Sequence, residues 1–134
     1  MNERQIIRVR DVMKTSFDMV DRLDTIASAL EKMEYVETKT LIVNKRNDDD
    51  EYGMVMISDI ARQVLAKDRP LDRTNIYEIM SKPVIRVDPD MDIRYCARLL
   101  SRFHLSRAPV VSKGEILGIV SMTDMVLKGL RQGQ

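Results

Sequence analysis

The stretch Val-Arg-Asp-Val-Met at residues 9–13 returns 67 positions later as Ile-Tyr-Glu-Ile-Met at residues 76–80. The same offset carries Ile26 onto Ile93. A repeat that spans only half of a short chain is too small to bury much core alone. We therefore expect two copies of one structural unit that pack against each other.

Toward the end of each repeat the offset shrinks to 65, which places a two-residue insertion in the first copy. Gly-Met-Val at residues 53–55 returns as Gly-Ile-Val at 118–120, and Ser-Asp at 58–59 returns as Thr-Asp at 123–124. The insertion falls in the polar stretch 44–51, where extra residues cost little loop-closure entropy. That stretch is therefore predicted to be a surface turn.

The composition favours one hydrophobic core in a reducing compartment. A chain of 134 residues with 44% hydrophobic content can bury one sizeable core and leaves no room for a separate catalytic domain. The single cysteine, Cys96, cannot form an intrachain disulfide. No apolar run approaches the ~18 residues of a membrane span, and the N-terminus is charged, so neither a span nor a signal peptide is predicted. We expect a cytoplasmic protein.

The sequence also argues against several function classes. A net charge of +1 and an aromatic content of 4% without tryptophan argue against nucleic-acid binding. There is no nucleophile paired with a base and no glycine-rich phosphate loop. One histidine, His104, and one cysteine supply no cluster of metal ligands. We therefore expect no enzymatic activity, no metal and no cofactor.

Each repeat has the periodicity of a strand, a helix, two strands and a second helix. In the first copy the predicted strands are 17–20, 40–43 and 54–57, and the predicted helices are 25–35 and 59–65. In the second copy the predicted strands are 84–87, 108–111 and 116–120, and the helices are 91–103, with Asp90 as N-cap, and a last one that opens at Ser121. The prediction is an α/β fold of two β-α-β-β-α repeats, residues 8–66 and 75–132, joined by a linker at 67–74.

The order and spacing of these motifs resemble a tandem pair of cystathionine-β-synthase (CBS) domains, the arrangement called a Bateman module. The resemblance rests on Asp-Val-Met at 11–13, Glu-Ile-Met at 78–80, Arg-Ala-Pro-Val-Val at 107–111 and Gly-Ile-Val-Ser-Met-Thr-Asp at 118–124. It covers nearly the whole chain. It implies repeats related by pseudo-two-fold symmetry, with clefts between them that in many members bind adenine nucleotides or S-adenosylmethionine. It also implies a homodimer that regulates another protein or domain.

The second repeat holds the more complete set of candidate ligand-binding residues. The candidates are Asp124, Thr123, Ser121, Arg107, Pro109 and Ile119. The carboxylate of Asp124 suits a ribose diol, and the hydroxyls of Ser121 and Thr123 suit a phosphate at a helix start. Arg107 suits a bidentate contact to phosphate oxygens. The proline and the isoleucine would form an apolar wall for the base.

The same residues have a purely structural interpretation. Ser-x-x-Asp at a helix start is a capping arrangement, with Ser121 as the N-cap and Asp124 near the positive end of the helix dipole. Capping and ligand binding are compatible, so both interpretations stay open for the sequence alone.

The first repeat carries a reduced version of this set. Its candidates are Asp59, Ser58, Met56 and Thr40. Asp59 keeps the ribose contact, whereas Met56 and Thr40 replace the serine and the arginine, so the phosphate side loses a hydroxyl and a guanidinium. Lys39 or Lys45 could compensate. We predict a cleft that is weaker, altered in preference or empty.

One predicted helix presents Arg94, Arg98 and Arg102 at a spacing of four, without an acid at that spacing to pair with them. A solvated surface, an acidic patch on a neighbouring chain or an anionic partner would each account for this face.

Two functions follow as hypotheses. The first is a stand-alone regulatory module that binds an adenosine-containing ligand (AMP, ADP, ATP or S-adenosylmethionine) and signals to an effector protein that the sequence does not identify. The alternative is a ligand-free module for dimerisation or protein interaction.

Overall fold

A computed structural model describes residues 5–82 and 85–131, which form two compact units. The first, here called the central unit, is Ser16–Pro83. The second, here called the terminal unit, combines Met1–Thr15 with Val84–Gln134. Each unit is described by itself below.

The predicted α/β class is confirmed, and the central unit has the predicted order of strand, helix, two strands and helix. In the terminal unit the predicted first strand is wrong, because the described residues 85–87 form no strand. The helices are α1 (Val9–Val12), α2 (Ile26–Lys32), α3 (Ile57–Ile60), α4 (Ile93–Arg102) and α5 (Met122–Asp124). The strands are β1 (Asp18–Val20), β2 (Thr40–Val43), β3 (Gly53–Met56), β4 (Arg107–Ser112) and β5 (Glu115–Ser121). Helices α3 and α5 continue as the π-helical segments Ala61–Leu65 and Met125–Leu130, and short 3₁₀ turns occupy Val36–Thr38 and Ile76–Glu78.

The two units differ in how their strands pair. In the central unit β2 lies between β1, which is parallel to it, and β3, which is antiparallel. In the terminal unit β4 and β5 form an antiparallel hairpin, and Val87 adds only an isolated parallel bridge to Val110. Pro89 follows Val87 closely and has no N–H to donate, which limits this strand. Of the predicted strand 84–87, Val84 lies outside the described residues.

Helix α4 begins later than its predicted start. The predicted N-cap at Asp90 is wrong, because the carboxylate of Asp92 accepts the N–H of Arg94 at 2.9 Å. The carboxylate of Asp90 instead accepts from the Arg10 guanidinium at 2.8 Å. The N–H of Ile93 donates to a carbonyl of the segment before α1, so the docking of that distant segment determines where the helix starts.

The opening segments of the two repeats, which start just before residues 8 and 75, dock in equivalent ways. At the start of α2, the N–H of Ile26 donates to the carbonyl of Thr74 at 2.9 Å. At the start of α4, the N–H of Ile93 donates to the carbonyl of Ile7, also at 2.9 Å. Donors and acceptors are each separated by the repeat offset of 67. Each repeat therefore sends its opening segment to the helix of the other repeat.

Because of this exchange, the compact units differ from the sequence repeats 8–66 and 75–132. The predicted linker 67–74 lies wholly inside the central unit, where the carbonyl of Leu71 accepts from the N–H of Ala27 at 3.0 Å. The linker thus satisfies backbone donors in the first turn of α2, which have no partner within the helix.

Each core joins residues that are distant in sequence. The core of the central unit includes Ile26, Leu41, Val55, Val64, Ile76 and Ile79. The core of the terminal unit includes Val9, Val12, Cys96, Leu100, Val110 and Val120. Burial raises the pKa of the Cys96 thiol to about 11, so it is protonated at neutral pH and packs as a small apolar side chain.

Candidate functional site

A close approach between two backbones builds the site in the terminal unit. The segment after α1 forms an antiparallel bridge with β5, in which Lys14 and Ile119 exchange two N–H···O=C bonds of 2.9 Å. A Cβ atom added to Gly118 would lie 2.4 Å from the carbonyl oxygen of Lys14. Glycine at position 118 therefore allows the segment to reach the strand.

This bridge places Lys14 against the buried acid Asp124. The Lys14 Nζ lies 2.5 Å from a carboxylate oxygen of Asp124, and the two side chains are 23% and 8% exposed. The attraction between charges that are largely shielded from water exceeds that of an ion pair on an open surface.

The backbone of Asp124 is held by the residue that ends β5. The Oγ of Ser121 accepts the N–H of Asp124 at 3.1 Å, so Ser121 is the N-cap of α5. The capping interpretation of Ser121 is thereby confirmed. The Asp124 carboxylate, which pairs with Lys14, therefore lies at the end of the β4–β5 hairpin where Ser121 ends β5.

Arg107 completes the group of charges. It begins β4 directly opposite Ser121, and its Nε donates to the Ser106 Oγ at 3.2 Å. Burial lowers the pKa of Arg107, and attraction to the Asp124 carboxylate opposes that shift. We call Lys14, Arg107 and Asp124 the charge cluster.

The remaining candidates of the second repeat lie around this cluster to different extents. Pro109 and Ile119 are partners across the β4–β5 hairpin, and both are buried. Only 2% of Ile119 is exposed, which leaves little of the predicted apolar wall at the surface. Thr123 lies in the first turn of α5 with its side chain exposed.

The corresponding residues of the central unit are engaged differently. The Asp59 carboxylate accepts the N–H of Met56 at 2.9 Å and pairs with the Arg62 guanidinium at 2.9 Å. The hydroxyl of the fully buried Thr40 donates to the carbonyl of Val55 at 3.2 Å. These groups are therefore bound to their own unit.

The central unit also has no lysine at the position of Lys14. The equivalent residue is Ser81, whose hydroxyl donates to the carbonyl of Met54 at 3.4 Å. Ser58 is exposed, and the Nζ of Lys45 lies 5.3 Å from the centre of the Tyr52 ring. The two units therefore differ at Lys14 and Ser81 as well as at the candidate residues that the sequence comparison indicates.

A family model described as CBS domain matches residues 76–130. The chain is also similar to a hexameric CBS-CP12 protein from bloom-forming cyanobacteria, with 31% identity, a TM-score of 0.87, and coverage of 93% of this chain and 69% of that one. The chain belongs to the CBS-domain family. CBS-domain modules are commonly regulatory.

Two further relatives match different shares of the chain. The CBS domain-containing protein YhcV of Bacillus subtilis is 26% identical over 119 residues, which are 89% of this chain and 83% of that protein. An uncharacterized protein of Methanopyrus kandleri is 31% identical over 87 residues, or 64% of this chain. That match spans only 43% of the archaeal protein's length.

Two of the three arginines that α4 presents at a spacing of four contact side chains on their own helix or at its N-cap. The guanidinium of Arg94 lies 3.6 Å from the carboxylate of Asp92, and that of Arg98 lies 5.2 Å from the centre of the Tyr95 ring. An open groove of about 630 Å³ is lined by Ala97, Arg98, Ser101, Arg102 and Met122.

Two further features bear on the chemistry of this CBS pair. Within residues 5–82 and 85–131, no helix is long and apolar enough to cross a bilayer. Across the same described residues, no three His, Cys, Asp or Glu side chains gather in a group that could hold a metal ion.

Lys14 is the site residue that the sequence did not identify. It directly follows the repeated Met13, and its counterpart Ser81 is uncharged, so the two repeats differ in charge at this position. This difference in charge is a signal by which the sequence could have identified Lys14 as a candidate. Its meaning depends on the contact with Asp124, which is 110 positions away.

Proposed function

We propose that this CBS pair is a regulatory module that binds an adenosine-containing ligand (AMP, ADP, ATP or S-adenosylmethionine) beside Asp124 and signals its occupancy to a separate effector protein. The observation that carries the proposal is the charge cluster. A largely buried carboxylate suits a ribose diol, and cations beside it suit a phosphate. A ligand of this kind acts by binding one conformation of the module better than another.

The asymmetry between the units supports a single principal site. In the central unit the Asp59 carboxylate is already engaged by a backbone N–H and by Arg62, and Thr40 stands where Arg107 stands in the terminal unit. These contacts engage both oxygens of the Asp59 carboxylate, so a ligand there would have to displace one of them, and Thr40 supplies no guanidinium for a phosphate. We infer weak binding or none at that position.

The test is thermal unfolding of the full chain with each of the four ligands. A ligand at a hundred times its Kd adds about 2.7 kcal/mol to the free energy of unfolding. For a chain of this size we expect that gain to raise Tm by several degrees. Asp124→Asn removes the charged acceptor and is expected to abolish the shift.

The matched control is Asp59→Asn, which makes the same change at the equivalent position of the central unit. It is expected to keep the ligand-induced shift. Either no shift with any adenosine compound, or an equal loss in both variants, would contradict the proposed site.

Self-association is a second candidate function. The π-helical segment after α5 exposes 52% of Val126 and 47% of Leu127, and two solved structures above 30% identity are each described as a hexameric CBS-CP12 protein. Adjacent exposed apolar side chains favour burial against a partner. We propose that a second copy of the chain covers this surface in a homodimer.

The double substitution Val126→Glu/Leu127→Glu is expected to convert the assembly to monomers, because it places charges in an apolar contact. Light scattering after size-exclusion chromatography measures the mass. Val36→Glu, at an exposed apolar position in the central unit, is the control. An unchanged mass in the double variant, or a monomeric parent protein, would exclude this interface.

A further inference from the structure

We propose that Lys14 makes the site selective for adenosine ligands that carry a phosphate, and against ligands that carry a net positive charge, such as S-adenosylmethionine. This inference rests on the proposed ligand site at Asp124 and specifies the chemical class of its ligand.

The backbone holds Lys14 in place. Two hydrogen bonds to Ile119 fix its main chain along β5, and Gly118 leaves room for its carbonyl. The side chain has only to extend from that fixed point to reach the Asp124 carboxylate. Because its backbone is fixed, the Lys14 ammonium is in position before a ligand binds, and little conformational entropy is lost on binding.

A cationic ligand meets two obstacles at this cluster. The carboxylate that would attract it, Asp124, is already paired with Lys14. Arg107 lies close enough to Asp124 for the two charges to affect each other. A positive ligand would therefore have to displace the Lys14 ammonium and then lie near a guanidinium of the same sign, in surroundings with reduced screening by water.

A phosphate is attracted to the two cations of the charge cluster, Lys14 and Arg107. The Lys14 ammonium has three donors, so it can bind a phosphate oxygen while it stays close to the Asp124 carboxylate. Arg107 is half-buried at the start of β4, opposite Ser121, and its guanidinium can add a charge-assisted contact to a phosphate oxygen. Neutral adenosine would gain neither contact.

The central unit provides a comparison within the same chain. Its backbone makes the equivalent bridge, since Ser81 and Met54 exchange two hydrogen bonds as Lys14 and Ile119 do. Ser81 carries no charge, so the docking of the segment does not require a lysine. The lysine in the terminal unit is available for a different role.

The experiment is calorimetric titration of the full chain with AMP, adenosine and S-adenosylmethionine. All three share the adenosine group and differ in charge. We expect AMP to bind at least about tenfold more tightly than adenosine, as one charge-assisted contact implies, with S-adenosylmethionine the weakest. Lys14→Gln is expected to weaken AMP about tenfold without weakening S-adenosylmethionine, whereas Lys14→Arg keeps the parent order.

Lys113→Gln is the charge-matched control, because it removes one lysine charge from the turn at the far end of the same hairpin. It is expected to leave all three affinities unchanged. If Lys14→Gln does not fold, Lys14→Met keeps the aliphatic stem, and the parent ratio of AMP to S-adenosylmethionine still tests the selectivity.

The outcomes separate this inference from the function on which it rests. Equal binding of AMP and S-adenosylmethionine, or a ratio unchanged in Lys14→Gln, overturns the selectivity and leaves the adenosine site standing. Failure of all three compounds to bind the parent chain overturns both.

Discussion

A fragment of residues 8–66, bounded as the first sequence repeat, is expected to be unfolded, whereas a fragment of residues 16–83 is expected to unfold cooperatively. The reason is the exchange of opening segments. Ile76 and Ile79 follow the first repeat in sequence but are 0% and 4% exposed in the core of the central unit. Burying each isoleucine contributes about 1.5–3 kcal/mol, and the net stability of a small domain is only about 5–15 kcal/mol.

Circular dichroism during urea denaturation measures this difference. Ile76→Ala within the 16–83 fragment is the internal control, and it is expected to weaken or abolish the transition, since truncating a buried isoleucine to alanine costs about 2–5 kcal/mol. Similar cooperative transitions in the 8–66 and 16–83 fragments would show that the exchanged segment does not hold the central unit together.

Gly118→Ala is expected to destabilise the full chain by about 3 kcal/mol, the upper end of the usual cost of overpacking. The new Cβ would lie 2.4 Å from a backbone oxygen of Lys14, which cannot move without breaking the bridge to Ile119. Displacing that segment also separates Lys14 from Asp124, so we expect the ligand-induced rise in Tm to be lost with the stability. Urea denaturation and the thermal assay measure the two effects.

Gly53→Ala makes the same change at the equivalent glycine of the central unit. There the nearest atoms are the Met80 Sδ at 3.1 Å and the Val43 Cβ at 3.2 Å, and a methionine side chain adjusts more readily than backbone. We expect a loss of less than about 1 kcal/mol and an unchanged ligand response. Comparable losses for the two glycines would contradict the role assigned to the close approach at β5.

Much of the fold was predictable because it depends on local patterns. The predicted strand at 40–43 matches β2 residue for residue, and the predicted strands 108–111 and 116–120 lie within β4 and β5. Alternation and apolar runs determine these elements wherever their partners lie. The start of α4 was not predictable in this way, since its first N–H is satisfied by a carbonyl from residue 7.

The candidate site was predictable in part for a related reason. Ser121 and Asp124 belong to one turn, so their spacing already indicated a cap, and Ser121 forms it. Arg107 lies opposite Ser121 because the hairpin register places it there. Lys14 reaches the same point from the other end of the chain, and no local spacing encodes that contact.

The sequence by itself determined the duplication, the order of helix, two strands and helix that both repeats share, and the face of each element that is apolar. Only the tertiary structure decided which segment covers each face. The opening stretch of each repeat joins the unit built around the other repeat's helix, and Lys14 thereby meets Asp124. The physical reason is that periodicity specifies that a surface must be buried, whereas the identity of the distant segment that buries it depends on packing across the whole chain.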